Sequence, residues 1–531
     1  MEPDHVTLMP VNSDENVRTL REFRKVLETT RGPQGSLKLL VTGGGYHQLT
    51  ASGAALLSRL ELENPILQCI SQVARGLVDH GLYLGMMVSH LLELHWSSDC
   101  CVGKQKMSKT ISMLSQSLQE LMQSDLVCRK VNFSSINSFL PLVRSVVTSK
   151  PNVLFGGLDV DKVCFQIVRV FLNCIDEQTG SVGRVHVKVD DGGIRVTSYN
   201  GLLYQITEDQ DLKVIKQIIS EVKILIFTLK LENSCDSESF ISEIDQAMSI
   251  IEEAIEMGVN LVACQKTVAP EIKLYLMRKG VLLLDRMGTD FTSMLVQISQ
   301  AFPISHLQIE ISDVPKFVGT LSSVKHIQFN ASEYVLLQNK DAAVGTLLLQ
   351  TRSLAGTDHV KELVHQAINS LRSLATHPVL TFGGGCLEVW LSMQIGLIKH
   401  NHPTDRDLQR VAQWVQLALL STCTAEAADS VYHHGWRERQ EEQGGRENSC
   451  CCGHVTRSQL IEVDSQLIPL SEVTQAQLRL SPPRPTSCLL APHVLVDNHQ
   501  QKVNVIFSAL ETFTNLNEVG LILYLDKLRV K

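Results

Sequence analysis

RGPQGSLKLL (residues 31–40) runs directly into VTGGGYHQLTASGAALL (41–57). The first stretch has the make-up of a phosphate cradle. Gly32, Pro33 and Gly35 make a tight turn whose backbone N–H groups can face an anion, and Lys38 follows closely. A cradle alone says nothing about turnover. Hydrolysis needs carboxylates from elsewhere in the chain, to hold a hard divalent metal and to orient the attacking water. GGGYH (43–47) reads as a simple turn, because no strand–helix context makes it a dinucleotide fingerprint.

The chain has 531 residues, enough for about three or four domains. Hydrophobic residues make up 44% and charged residues 20%, a globular rather than a disordered balance. A net charge of -8, a pI near 6.1 and the lack of a long basic tract argue against nucleic acid as a primary partner. MEPDHVTLMPVNSDENV at the start is acidic and polar, unlike a secretory signal. No apolar run reaches about 18 residues, so no membrane insertion is expected. The 14 cysteines are scattered, which fits reduced thiols in the cytosol. Cys450, Cys451 and Cys452 with His454 form the one metal-like cluster. Adjacent cysteines do not readily converge on one tetrahedral ion, so the cluster reads as exposed loop and no metal is expected.

Along the chain, 16–145 is mostly helical by its apolar spacing: Val17 to Thr30, Ala51 to Leu62, Pro65 to Leu94, and KTISMLSQSLQELMQS (109–124), with Ile111, Leu114, Leu118 and Leu121 on one face. DVDKVCFQIVRVFLNCI (159–175) is a further amphipathic helix, and GRVHVKVDDGGIRVTSYNGLLYQI (183–206) alternates as strands do. From about 220 to 330, strands alternate with helices: VKILIFTLKL, SFISEIDQAMSIIEEAIEMG, NLVACQK, PEIKLYLMRKG, VLLLDR. This is an α/β module. VGTLLLQTRS (344–353) is a strand, and TDHVKELVHQAINSLRSLAT (357–376) a helix with Thr357 as its N-cap. The chain then returns to helices, ending with KVNVIFSALETFTNLNEVGLIL (502–523). HHGWRERQEEQGGRENSCCCGH (433–454) reads as a loop inserted between helices, and prolines break RLSPPRPTSCLLAP (479–492). The pattern is symmetric about its middle, as in a chain that runs out and back through nested domains.

These residues resemble the group II chaperonins over almost the whole chain. RGPQGSLK is similar to that family's G-P-x-G-x-x-K phosphate loop, LTASGAALL (49–57) to T-N-D-G-A-x-I-L, and GLVDHGLYLGMMV (76–88) to G-D-G-T-T with its apolar helix. LVRSVVTSKP (142–151) resembles the L-x-S-K boundary, and CQKTVAPEIKLYLMRKGVLLLDRM (264–287) the Q-K-x-I stretch. VHQAINSL (364–371), FGGGCLEVWLS (382–392) and VLVDNHQQK (494–502) are similar to H-D-A-L, G-G-G-A-x-E and V-x-D-P. Eight motifs in order point to the family, and LVRSVVTSKP, FGGGC and the modest length resemble its divergent chaperonin-like branch. The resemblance implies an α+β, mostly α fold: a helical equatorial domain in two halves (1–147 and 379–531, the second carrying the 433–454 insert), an intermediate domain (148–198 and 336–378) and an α/β apical domain (199–335).

In the family, three aspartates serve the metal and the water. Here Ser52, His80 and Gln366 stand at those positions, and Leu82 and Tyr83 replace the two threonines. A hydroxyl, an imidazole and an amide do not replace three carboxylates around a divalent cation, so loss of ATP hydrolysis is expected and no catalytic residue is assigned. Asp79 would enter only by a one-residue slip. Gly32, Pro33, Gly35, Lys38, Gly383, Gly384, Gly385 and Asp497 remain as nucleotide-binding candidates, with Asn498 in place of the family's proline. The same glycines also suit tight turns that the fold itself needs, so ATP with Mg²⁺ is not required by the motifs.

The segment 231–258 is too short for the family's helical lid. Its stripe of Ile241, Ile244, Met248, Ile251 and Ile255 reads as core rather than client groove. The resemblance implies an assembly chaperone of the cytoplasm and cytosol, at the centrosome or ciliary basal body. Its partners would be sister chaperonin-like proteins, cytosolic chaperonin subunits and subunits of the coat complex that sorts ciliary cargo. An ATP-driven folding chaperone is the alternative.

Overall fold

The computed structural model describes residues 6–31, 35–41, 45, 47–50, 52–77, 80–98, 102–124, 127–131, 133, 136, 139–149, 158–175, 182–191, 193–206, 220–232, 243–329, 332–339, 343–352, 357–423, 430–431, 436–440, 446–450, 468–469 and 496–525. The chain divides into two compact units, residues 1–154 with 355–531, and residues 155–354.

The first unit is built on helices. Asp14–Glu28 opens on Ser13, whose hydroxyl accepts from the Asn16 N–H. It buries Leu20, Phe23 and Leu27. These meet Leu84, Met87, Val88 and Leu91 of the helix Gly81–Trp96 and the apolar faces of Lys104–Met122, Arg406–Ser421 and His499–Glu518 in one core. Leu121 is only partly buried in that core, and Met122 takes its place.

The continuous helix expected from Pro65 to Leu94 is two helices, Pro65–Gly76 and Gly81–Trp96. Gly81 explains the join. A Cβ there would lie 2.3 Å from the Ala74 carbonyl oxygen, so only glycine permits the approach. Three other boundaries differ from expectation. The helix expected over 51–62 is Gly53–Arg59, and Thr357 is the first helical residue rather than the cap. The terminal helix stops at Glu518, and Leu521–Leu525 is a strand antiparallel to Val6–Pro10. Gly520, the β-branched Ile522 and the aromatic Tyr524 favour extension over helix.

Lys38–Val41 and His47–Thr50 form an antiparallel pair, with Gly45 between them at φ 78°. Within the expected 433–454 loop, Trp436–Gln440 pairs antiparallel with Arg446–Cys450. Cys451, Cys452 and His454 lie outside the described residues, as does 479–492, and no metal-type cluster occurs among the described residues.

The second unit contains the α/β module. Strands Leu282–Leu284, Leu261–Cys264 and Val222–Phe227 run parallel, and Gly319–Leu321 closes the edge antiparallel to the last. Ile224, Ile226, Leu261 and Ala263 face one core with the helix Gly288–Ser299. Leu225, Phe227, Val262 and Cys264 face another with the helices Glu243–Glu256 and Pro270–Lys279. Both sheet faces are covered, which is why these strands read as continuous apolar runs. Ile251 of the expected stripe is fully buried, and Ile244, Met248 and Ile255 pack against the same core; Ile241 lies outside the described residues. Val344–Thr351 pairs parallel with Arg184–Asp191 and antiparallel with Arg195–Asn200.

Candidate functional site

The expected site residues lie on six segments of the first unit. Gly32, Pro33 and Asp79 lie outside the described residues. Gly35 follows the first helix so closely that a Cβ would sit 2.7 Å from the Arg31 carbonyl oxygen. Lys38 turns back on the same helix end, its Nζ donating to the carbonyls of Thr29 at 3.2 Å and Ser36 at 3.3 Å. A lysine there satisfies helix C-terminal carbonyls and complements the dipole. Gly35 and Lys38 therefore have local structural partners already.

Ser52 is the N-cap of Gly53–Arg59: its hydroxyl accepts from the Ala55 N–H at 3.3 Å, and its own N–H donates to Thr50 Oγ1 at 2.9 Å. The next residue, Gly53, packs on Leu82, where a Cβ would come within 2.5 Å of the leucine Cβ. His80 precedes the Gly81 helix and makes no side-chain cap bond. Its Nε2 lies 3.3 Å from Gln501 Oε1. Burial pushes its pKa below the ordinary histidine value, and the Lys502 charge pushes the same way, so the ring is neutral at pH 7. Gln366 is half-buried on the helix Thr357–Thr376.

Val379–Phe382 leads through Gly383, Gly384 (φ 65°) and Gly385 (φ 93°) into the helix Cys386–Asn401. The positive φ values give two of these glycines a conformational reason to be there. Val496–Asn498 pairs antiparallel with Val379–Phe382, placing Asp497 opposite Thr381. Asn498 caps the helix His499–Glu518 by accepting from the Gln501 N–H at 3.0 Å. It also accepts from Ser373 Oγ at 3.3 Å, a tie to the Thr357 helix that proline could not make.

At the centre stands Lys502. Its Nζ donates to Glu388 Oε1 at 2.5 Å, lies 3.1 Å from Asp497 Oδ2, and sits 4.7 Å from the Tyr83 ring centroid. The lysine and glutamate side chains are 8% and 1% exposed, so this is a desolvated ion pair rather than a surface one. Burial alone would lower the lysine pKa, but Asp497 and Glu388 together hold it well above the ordinary value. Tyr83 is pushed well above the usual phenol range, chiefly by burial and then by the Glu388 charge. Cys423, whose Sγ donates to the Gly385 carbonyl, is raised mainly by burial, so its thiol stays protonated.

The TCP-1/cpn60 chaperonin family model matches residues 23–427. The chain belongs to that family. Molecular chaperone MKKS of Homo sapiens is 27% identical over 451 residues, covering 80% of this chain and 78% of that protein. The Mus musculus protein of the same name is 26% identical over 456 residues, covering 80% and 79%. Thermosome subunit gamma of Saccharolobus shibatae is 23% identical over 416 residues, covering 72% and 74%.

Among the described residues, the side chains at the three positions read as aspartate sites do not fit a magnesium–nucleotide. None of the three positions read as aspartate sites carries a carboxylate, and Asp497 and Glu388 are already engaged by Lys502. Reasoning from motifs missed Lys502 and Glu362, and passed over Glu388 although its motif was quoted. Glu362 Oε2 lies 3.4 Å from Thr50 Oγ1, one helical turn before Gln366. Lys502 did carry a signal. A cation in the first turn of a helix opposes the dipole, so a buried one there demands a carboxylate partner.

Proposed function

We propose that the chain is a chaperonin-like assembly factor that works without hydrolysing ATP. The observation that carries this reading is the set Ser52, His80 and Gln366 at the family's aspartate positions, beside a corner where Lys502 holds Glu388 and Asp497. Magnesium-dependent phosphoryl transfer needs free carboxylates for metal and water. Ser52 spends its hydroxyl on a helix cap, and neutral His80 faces Gln501. The domain reading that goes with it has an equatorial domain around this corner, an intermediate domain, and an apical α/β module, 199–335, as the client-facing part. The finer role follows from the resemblance: assembly of the Bardet–Biedl ciliary cargo-sorting complex, together with sister chaperonin-like proteins and the cytosolic chaperonin.

The decisive experiment measures nucleotide binding and ATP turnover side by side on the purified chain with Mg²⁺. The reading expects no turnover above a heat-treated control. Affinity capture should recover sister chaperonin-like proteins and coat-complex subunits; their absence would remove the finer role. One observation favours the alternative of residual ATP-driven folding: Glu362 does bring a carboxylate to the Thr50–Ser52 segment. Under that alternative, turnover is measurable and Glu362→Gln abolishes it.

A further inference from the structure

Glu388 is the most demanding residue of the corner. It is 1% exposed, one oxygen takes the Lys502 proton donor, and Oε2 is buried with no hydrogen-bond partner among the described residues. A buried carboxylate with a bare oxygen is costly, and the ordinary remedy is a donor or a cation. Asp497, from a different segment, points its own Oδ2 at the same ammonium. The lysine nitrogen therefore occupies a point at hydrogen-bond distance from both carboxylates. Two carboxylates against one ammonium leave an excess negative charge at the pair itself. Arg31 also feels the Glu388 charge and keeps its own positive charge, but its Nη1 donates to the Ser421 carbonyl at 2.9 Å, not to either carboxylate. The tyrosine ring covers the ammonium from a third side.

We propose that the Lys502 ammonium is a resident cation, filling a two-carboxylate site of Glu388 and Asp497 that takes a hard divalent cation once the lysine head is removed. Carboxylate oxygens on two segments, one with an unused lone pair, are the donors that calcium, manganese and magnesium prefer. A divalent ion would cancel the charge that the single ammonium leaves, and water would complete its coordination. The inference rests on the reading that this corner no longer works on nucleotide. It explains how the corner could stay folded without one: the strand–turn–helix of 379–401 and the strand–helix of 496–518 are pinned by a covalently attached charge instead of a diffusible one.

The test compares full-length wild type, Lys502→Ala and the double variant Lys502→Ala/Glu388→Gln, with Ca²⁺ and Mn²⁺ alone as probes and no nucleotide present. Wild type should melt at the same temperature with millimolar Ca²⁺ as with chelator. Lys502→Ala should melt several degrees lower in chelator and recover most of the loss with Ca²⁺. By titration calorimetry it should bind Mn²⁺ at least about tenfold more tightly than wild type. The double variant should show no cation response. A folded Lys502→Ala that ignores both ions, or a wild type that responds equally, overturns the proposal. Should Lys502→Ala fail to fold in chelator, refolding in Ca²⁺ supports the proposal, and failure under both conditions overturns it. ATP turnover by wild type would sink the functional reading while leaving this cation comparison intact, so the two failures are distinguishable.

Discussion

Glu388 and Glu93 are both acidic residues on helices of the same unit, and both are held by basic side chains. Their surroundings differ. Glu93 accepts from Arg21 at 2.7 Å and Arg24 at 3.0 Å, and Arg21 is 48% exposed, so water screens part of that cluster. Both of its oxygens are engaged. Glu388 has almost no contact with solvent, one lysine, and one oxygen without a hydrogen-bond partner among the described residues. The Glu93 cluster strengthens a helix pair that hydrophobic packing already joins. The Glu388 cluster is buried, and among the described residues Lys502 alone pairs with that carboxylate at contact distance. Similar chemistry thus gives a doubly held, partly screened tie in one place and a fully desolvated pair in the other.

Breaking the buried pair should have the largest effect. Lys502→Met leaves Glu388 charged and buried, and should cost about 3–5 kcal/mol in urea unfolding. Adding Glu388→Gln to it should restore most of that. A single variant within about 1 kcal/mol of wild type would mean the corner is wetter than its geometry shows.

A second prediction uses pH. His90 lies on the Gly81 helix near the Glu93 cluster, and burial, with Arg24 adding to it, pushes its pKa down to about 4 from 6.5. The folded state resists protonation that the unfolded chain accepts, so stability is complete above about pH 6.5 and falls as pH drops towards about 4. The full loss is about 3 kcal/mol. His90→Gln should flatten the unfolding midpoint across that window; an unchanged slope would assign it to other groups.

Glu93→Gln should come next, at about 1–2 kcal/mol, with a smaller deficit at high salt. A salt-independent loss as large as that of Lys502→Met would erase the contrast between the two clusters. Smallest of all is Lys106→Ala. Its pair with Asp407 is 73% exposed on the lysine side, and chemical denaturation should not distinguish the variant from wild type.

Much of the helical part was legible because apolar spacing records a buried face directly. Ile111, Leu114 and Leu118 are buried as their spacing requires, and Ile251 is core. Failures came where a local pattern met a distant partner. The run from Pro65 to Leu94 hides a break set by Gly81 lying against Ala74, and the apolar tail after Gly520 became a strand because Val6–Pro10 was there to pair with it. The cradle glycines were ambiguous for a similar reason. Gly384 and Gly385 need positive φ, and Gly35 needs close approach, whether or not a phosphate is bound.

By itself, the sequence determined the family, the alternating strands and helices of the α/β module, and the residue types at the three positions where carboxylates were expected. Those are properties of order, period and identity, which survive without coordinates. Only the tertiary structure decided which charges meet at that corner. Tyr83, Glu388 and the pair Asp497 and Lys502 come from three separate stretches of chain, and no period links them. A buried charge is satisfied by whatever the packing brings within hydrogen-bond distance, and that choice is made by the fold as a whole.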